Sequence, residues 1–207
     1  MMVTTHAVIG LLIGTGAAAV LPGTVQILAL AGIIGGILPD LDILFQHRKT
    51  LHFPIFYSMI ALLSTGGALW QPGTATTATA TFITAAAIHS LMDIFGGDLT
   101  QEPWKQQGYR GVYDHVRQDW IHARRRIPYD GAPNDLAVFL AITAPLLLHY
   151  TGPIQYILIV LTTISLTYTA FRKDFVALFP DALIGGTFIT ILGRRCRDRL
   201  LGRQKTF

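Results

Sequence analysis

Three stretches of the chain contain no Asp, Glu, Lys or Arg: Met1 to Pro39, Phe53 to Met92 and Leu136 to Phe171, runs of 39, 40 and 36 residues. A helix that crosses a bilayer needs roughly 20 apolar residues, so each run is about two spans long. Pro and Gly interrupt each run near its middle, at Leu21-Pro22-Gly23, Gln71-Pro72-Gly73 and Thr151-Gly152-Pro153. These residues stop a helix and turn the chain back. The pattern predicts three helical hairpins. It describes an all-α, polytopic membrane bundle of six helices, at about 4–21, 24–38, 54–70, 74–95, 136–150 and 154–171. Gly32, Gly35, Gly36 and the Ala/Thr stretch from Thr74 to Ala87 suit close helix contacts in lipid.

Composition agrees. The 207 residues are 51% hydrophobic and only 14% charged, against about 25% charged for a soluble domain, and disorder requires the opposite balance. The one cysteine, Cys196, forms no internal disulfide or thiolate cluster. Ala7 to Val20 has the look of a signal-peptide core, but it lacks a basic leader and a second apolar run follows at once, so it is read as a retained helix.

The net charge of +4 does not point to nucleic acid, because of where the 16 basic residues sit. None lies in a Pro/Gly turn. Arg48 and Lys49 follow the first hairpin, six more lie between Lys105 and Arg126, Arg172 and Lys173 follow the last hairpin, and six lie beyond Gly193. Basic residues near span ends stay cytoplasmic, so the open ends of the hairpins and both termini are expected there, in a multi-pass cytoplasmic (inner) membrane protein. One integral domain is expected, with a cytoplasmic loop at 96–135 and a surface-lying or re-entrant C-terminal segment at 174–207. Within that segment, 175–192 is apolar enough to be weighed as a seventh span.

Hairpins return the chain to the face it left, and the His and Asp residues collect on that face. His6 opens the first helix and Asp40 and Asp42 end the second. His47 and His52 precede the third, and His89 and Asp93 end the fourth. His89 and Asp93 are four residues apart, so on a helix they share one face. Imidazole and carboxylate donors suit Zn or Mn. Seven candidates exceed one tetrahedral site and would serve one or two ions with a position left for water. Ionisable groups at the ends of charge-free helices are costly unless paired or functional.

The polar loop should cover this face. Its His115 and Asp119 repeat the four-residue spacing and are read as a further ligand pair or a general base, though a surface amphipathic helix would explain them as well. The Arg124-Arg125-Arg126 triplet reads as an anchor at anionic lipid, or as a phosphate clamp. Arg48 is a second candidate for phosphate.

The residues that carry a resemblance are His6, Leu-Pro-Asp-Leu-Asp at 38–42, His-Arg-x-x-x-His at 47–52 and His-x-x-x-Asp at 89–93. Together, over roughly residues 1–150, they resemble the membrane-bound metal-dependent hydrolases, also described as LexA-binding, inner-membrane-associated hydrolases. That family commonly has Thr-His and Ser-His where this chain has Leu51-His52 and Ile88-His89, so hydroxyls that would orient those rings are missing. The family is distantly similar to the zinc-dependent phospholipase C and P1 nuclease superfamily. The resemblance implies metal-assisted hydrolysis of a phosphoester, a lipid among the candidates, at the membrane face. Two non-enzymatic readings use the same residues: a metal transporter or sensor, and an anchor that recruits a partner through the 96–135 loop. Transport would need polar groups near the bilayer midplane, where the helices offer mainly Thr and Ser.

Overall fold

A computed structural model describes residues 1–100 and 102–178. Six helices follow in the expected order: α1 (Val3–Val20), α2 (Val25–Ile37), α3 (Pro54–Trp70), α4 (Thr74–Met92), α5 (Pro133–His149) and α6 (Pro153–Leu178). Each Pro/Gly turn separates a pair, and α1 with α2, α3 with α4 and α5 with α6 pack as hairpins. A 3-10 piece of seven residues extends α2 through Leu38–Leu44, and one of three residues extends α4 through Asp93–Phe95. With those extensions, four segments among the described residues are long and apolar enough to cross a membrane: Val3–Val20, Val25–Leu44, Thr74–Phe95 and Pro153–Asp174. α3 and α5, at 17 residues each, are shorter apolar helices. Helix α6 runs past the expected end at 171, so the first residues of the 174–207 segment continue it; positions 179–207 lie outside the described residues.

A seam of glycines sets the closest approach. Gly10 and Gly14 of α1 face Gly32 and Gly36 of α2, and a Cβ at Gly10 or Gly32 would collide with the other's carbonyl, while one at Gly36 would strike the His6 carbonyl. Gly35, on the neighbouring face of α2, touches the backbone of Phe82 in α4. Spacing of small residues by four lets backbones meet where lipid supplies no hydrophobic drive between helices. The core proper is shared by α1, α2, α5 and α6, around Val8, Leu11, Ala29, Phe139 and Leu158. Helix α3 is peripheral: Leu62 and Leu63 are about three-quarters exposed, an apolar outer face suited to lipid.

Buried hydrogen bonds tie the last hairpin to the first. Ser165 of α6 donates to Thr4 (2.8 Å), and the Tyr150 hydroxyl donates to that of Thr15 (2.7 Å), whose own hydrogen goes to the Leu11 carbonyl. Asp135, at the start of α5, accepts from the Met2 amide (2.7 Å) and the Thr5 hydroxyl (2.8 Å). Such bonds in membrane bundles contribute on average about 0.6 kcal/mol each.

The polar loop departs from expectation. The four-residue spacing of His115 and Asp119 suits a helix, but the chain forms an antiparallel hairpin, β1 (Arg110–Asp114) and β2 (Asp119–His122). The cause is local. Asp114 accepts from the amides of Val116 (2.8 Å) and Arg117 (3.1 Å), an Asx turn, and Gln118 takes a left-handed φ of 56° to close the reversal. Gly111 sits at the irregularity in the ladder, where a Cβ would lie 2.8 Å from the Ile121 carbonyl. His115 and Asp119 therefore share no helix face.

Candidate metal centre

Four side chains converge at the open end of the first two hairpins: Asp40, His52, His89 and Asp93, each offering one donor atom within 4.8 Å of all the others. His89 Nε2 lies 3.2 Å from His52 Nε2, 3.4 Å from Asp40 Oδ1 and 3.7 Å from Asp93 Oδ2. His52 Nε2 is 3.3 Å from Asp93 Oδ2 and 4.0 Å from Asp40 Oδ1. His6 stands beside them. Its Nε2 is 3.1 Å from Asp93 Oδ1 and its ring stacks on His89 at 3.6 Å between centroids. The side chains of His6, His52, His89 and Asp93 are at most 1% exposed, while Asp40 is 15% exposed, so the centre meets solvent through Asp40.

Each ligand candidate is set by its element. His89 and Asp93 end α4 at a spacing of four, as the sequence requires. Asp40 and Asp42 ride the 3-10 piece opened by Pro39, where three residues per turn send positions two apart to different sides. Asp40 thus faces His89, and Asp42 faces the loop. Asp42 accepts from His52 Nδ1 (2.8 Å), His47 Nδ1 (2.9 Å) and the Leu51 amide (3.3 Å). It holds the His52 ring from behind, as carboxylates do for metal-ligating imidazoles.

The ring nitrogens indicate what the centre lacks charge for. His89 Nδ1 lies 2.6 Å from the Gly36 carbonyl, which only accepts, so Nδ1 carries the hydrogen. His52 Nδ1 likewise faces a carboxylate. With both rings neutral, the two Nε2 lone pairs point at each other across 3.2 Å, beside two carboxylates. A proton on one ring or a bound cation relieves that arrangement, and the donor set of two imidazoles and two carboxylates is one that suits a divalent ion. Partial neutralisation is already present: Arg48 Nε is 3.2 Å from Asp93 Oδ2, and the Met1 amino group donates to Asp93 Oδ1 at 2.8 Å.

The other predicted residues take different places. Asp42 and His47 lie outside the four-donor cluster, paired with each other. Arg48 is buried with a left-handed φ of 58°, and its Nη1 donates to the Gly97 carbonyl at 2.6 Å. A non-glycine residue in that region costs of order 1 kcal/mol. The hairpin docks on this loop, the Tyr113 amide donating to the Arg48 carbonyl at 2.9 Å. His115 packs its ring on Phe53 at 4.5 Å, and burial together with Lys49 lowers its pKa. Asp119 is exposed and accepts from the Trp120 amide. Of the arginine triplet, Arg125 bonds Asp98 (3.2 Å) and the Gly108 carbonyl, and Arg124 stacks on Phe95. The Arg124, Arg125 and Ile127 amides strap this segment to Ile94, Gly96 and Phe95.

A cleft of about 400 Å³ adjoins the centre. Asp40, His47 and Arg48 line one side of it, and Ile164, Tyr168 and Arg172 of α6 the other. Sequence reasoning passed over Arg172, taken there as one of the basic residues flanking the last span. Its signal was its spacing of four from Tyr168, which puts both on one face of α6 with Asp130 as shared partner. The Gly36 carbonyl was equally hidden, since a backbone acceptor leaves no mark in composition.

Comparison with known families gives a match to a family described as YdjM inner membrane protein, over residues 1–173. The chain belongs to the YdjM inner membrane protein family. That match takes in all four cluster residues, both sides of the cleft and the β-hairpin. It places this YdjM-family chain among inner-membrane proteins and names no reaction. No curated protein and no solved structure gives a match.

Proposed function

We propose that this protein is a membrane-bound, metal-dependent hydrolase that acts on a phosphoester at the cytoplasmic face. The observation that supports this most is the facing pair of imidazole Nε2 atoms among two carboxylates, opening through Asp40 onto a cleft. In this reading Asp40, His52, His89 and Asp93 hold a divalent ion, zinc or manganese by donor type, with His6 against Asp93. Such an ion, when bound, supplies Lewis acidity and acidifies water toward neutral pH. The chain's own residues do the rest. Asp42 fixes the tautomer and angle of His52. Arg48, in the cleft wall beside Asp93, offers a fixed positive charge to a phosphoryl oxygen. His47, partly exposed, lining the cleft and bonded to Asp42, is placed to move a proton to or from a leaving group. His115 and Asp119 line neither the cluster nor the cleft and have no part in this scheme.

Elemental analysis of the detergent-purified protein beside His89→Ala and Asp93→Asn tests it. The expected result is stoichiometric Zn or Mn in the parent, lost in both variants, with chelator-sensitive cleavage of phosphoesters by the parent alone. Full metal content in both variants would sink the site. Metal without hydrolysis of any phosphoester would favour a sensor or transporter, and a parent that takes up no supplied ion would favour the anchor.

A further inference from the structure

The wall of the cleft opposite Asp40 holds a second cationic group. Arg172 is 6% exposed and lies at the end of α6 on the side where the metal-centre residues gather. Its Nε and Nη2 each donate to Asp130 at 3.0 Å, a bidentate pair, while Tyr168 donates to the same carboxylate. The guanidinium also stands over Trp104, 5.5 Å from the ring centre. Three sides are thus occupied. The Nη1 nitrogen, however, is buried with no hydrogen-bond partner among the described residues. A buried guanidinium donor left unmade costs more than one bonded to water, and such groups are ordinarily satisfied by an anion or by a water.

Across the cleft Arg48 repeats the situation, 5% exposed, with its Nε at ion-pair distance from Asp93 but without a hydrogen bond. The lining also includes Ile37 at the end of α2, Leu41 and Ile43 on its 3-10 extension and Ile164 of α6, beside the carboxylates of Asp40, Asp98 and Asp130, of which Asp98 is paired with Arg125 and Asp130 with Arg172. Ile164, Leu41 and Ile43 are about half exposed and form part of the outer surface of the bundle, which lies against acyl chains in a protein of this family. A cleft with a buried guanidinium on each side and apolar lining continuous with the lipid-facing surface matches an amphiphile with an anionic head.

We propose that this cleft is a binding site for an anionic phospholipid, its phosphate accepting from Arg172 Nη1 and one acyl chain lying on Ile37, Leu41, Ile43 and Ile164. The lipid is the phosphoester substrate if the hydrolase reading holds, and on that point alone the inference rests on it; binding does not require the metal. Asp130 then serves as the positioning residue, holding the guanidinium by Nε and Nη2 and leaving Nη1 as the uncommitted donor.

The test is native mass spectrometry of the full chain released from nanodiscs. Discs of phosphatidylcholine carrying phosphatidic acid or phosphatidylglycerol are compared for the parent, Arg172→Lys, Arg172→Ala and Ile164→Gln, each with and without chelator. The expected result is retained anionic lipid on the parent with or without metal, and retention weaker by about tenfold in Arg172→Lys, the scale of one lost charge-assisted hydrogen bond. Phosphatidylcholine retention and metal content should be unchanged in Arg172→Lys, so that the loss is confined to anionic lipid, a selectivity that a merely structural Arg172 would not show. Equal retention of anionic and zwitterionic lipid, or an anionic preference untouched by both Arg172 variants, would overturn the site. Competition by glycerol phosphate as effective as by the intact lipid, with Ile164→Gln silent, would assign the cleft to a soluble anion and overturn the lipid. Anionic lipid bound by a parent that holds no metal would leave this inference standing and the hydrolase reading fallen. Metal-dependent cleavage indifferent to Arg172→Lys and Arg172→Ala would do the reverse.

Discussion

Asp42 is buried and accepts three hydrogen bonds, from His47, His52 and the Leu51 amide, yet stands outside the four donors that face one another. Its effect on a bound ion passes through the His52 ring. Asp42→Asn is expected to leave the helices inserted and to weaken metal affinity about 10- to 100-fold, the usual cost of losing a carboxylate behind a ligating imidazole. Competition with a chromophoric chelator measures this, and unchanged affinity would show that the ring needs no support. At this scale the sequence was informative about company and silent about rank. Order and spacing brought His6, Asp40, Asp42, His47, His52, His89 and Asp93 to one end of the bundle. Asp40 and Asp42 look alike on paper, and only the 3-10 turn through Leu38–Leu44 sends one to His89 and the other to His52.

At the scale of elements, the glycine seam and the loop strap make separate demands. Gly32→Leu must drive α1 from α2, because the Gly10 carbonyl already occupies the space of the added side chain. Loss of bound metal without any ligand altered is the expected outcome, read by elemental analysis of the inserted protein. Gly66→Leu on α3, where nothing lies within 4 Å of an added Cβ, is the control that should retain it. The strap responds to acid. Burial alone would raise the pKa of Asp98, but its bonds from the Thr100 hydroxyl and amide and from Arg125 outweigh burial and hold it below the usual range. A lowered folded value means the stabilisation is complete above the ordinary carboxylate pKa, about 4, and fades as pH falls through the folded one. Protection of the amides around this strap from hydrogen exchange, taken relative to the intrinsic rate at each pH, should therefore fall below about pH 4, and Asp98→Asn should be poorly protected at every pH; parallel protection profiles would remove Asp98 from the strap. The helices were legible because charge-free runs and Pro/Gly breaks are direct consequences of lipid as solvent. The β-hairpin was not, because its two decisive devices are a side-chain turn at Asp114 and a left-handed Gln118, neither of which shows in hydrophobic period.

For the molecule as a whole, the centre joins the end of α2, the loop before α3 and the end of α4, with α1 packed against them through His6. An ion held there cross-links elements from two hairpins and stabilises only the folded state. At free metal 100-fold above its dissociation constant the gain is about 2.7 kcal/mol. Chelation should lower the unfolding midpoint and added Zn or Mn restore it; a midpoint indifferent to complete removal would mean the polypeptide alone holds the four groups in place. Overall architecture was readable because span length and hairpin polarity fix it. The cleft was not, because it lies between α6 and the tail of α2, elements far apart in the chain. The same remoteness governs position 36. There α2 packs directly on the His6 carbonyl of α1, and the carbonyl that receives His89 belongs to that same glycine. A survey of substitutions would record only that no larger residue fits. What the position does for the imidazole would go unseen, because the atom responsible belongs to the backbone and no exchange of one amino acid for another deletes it.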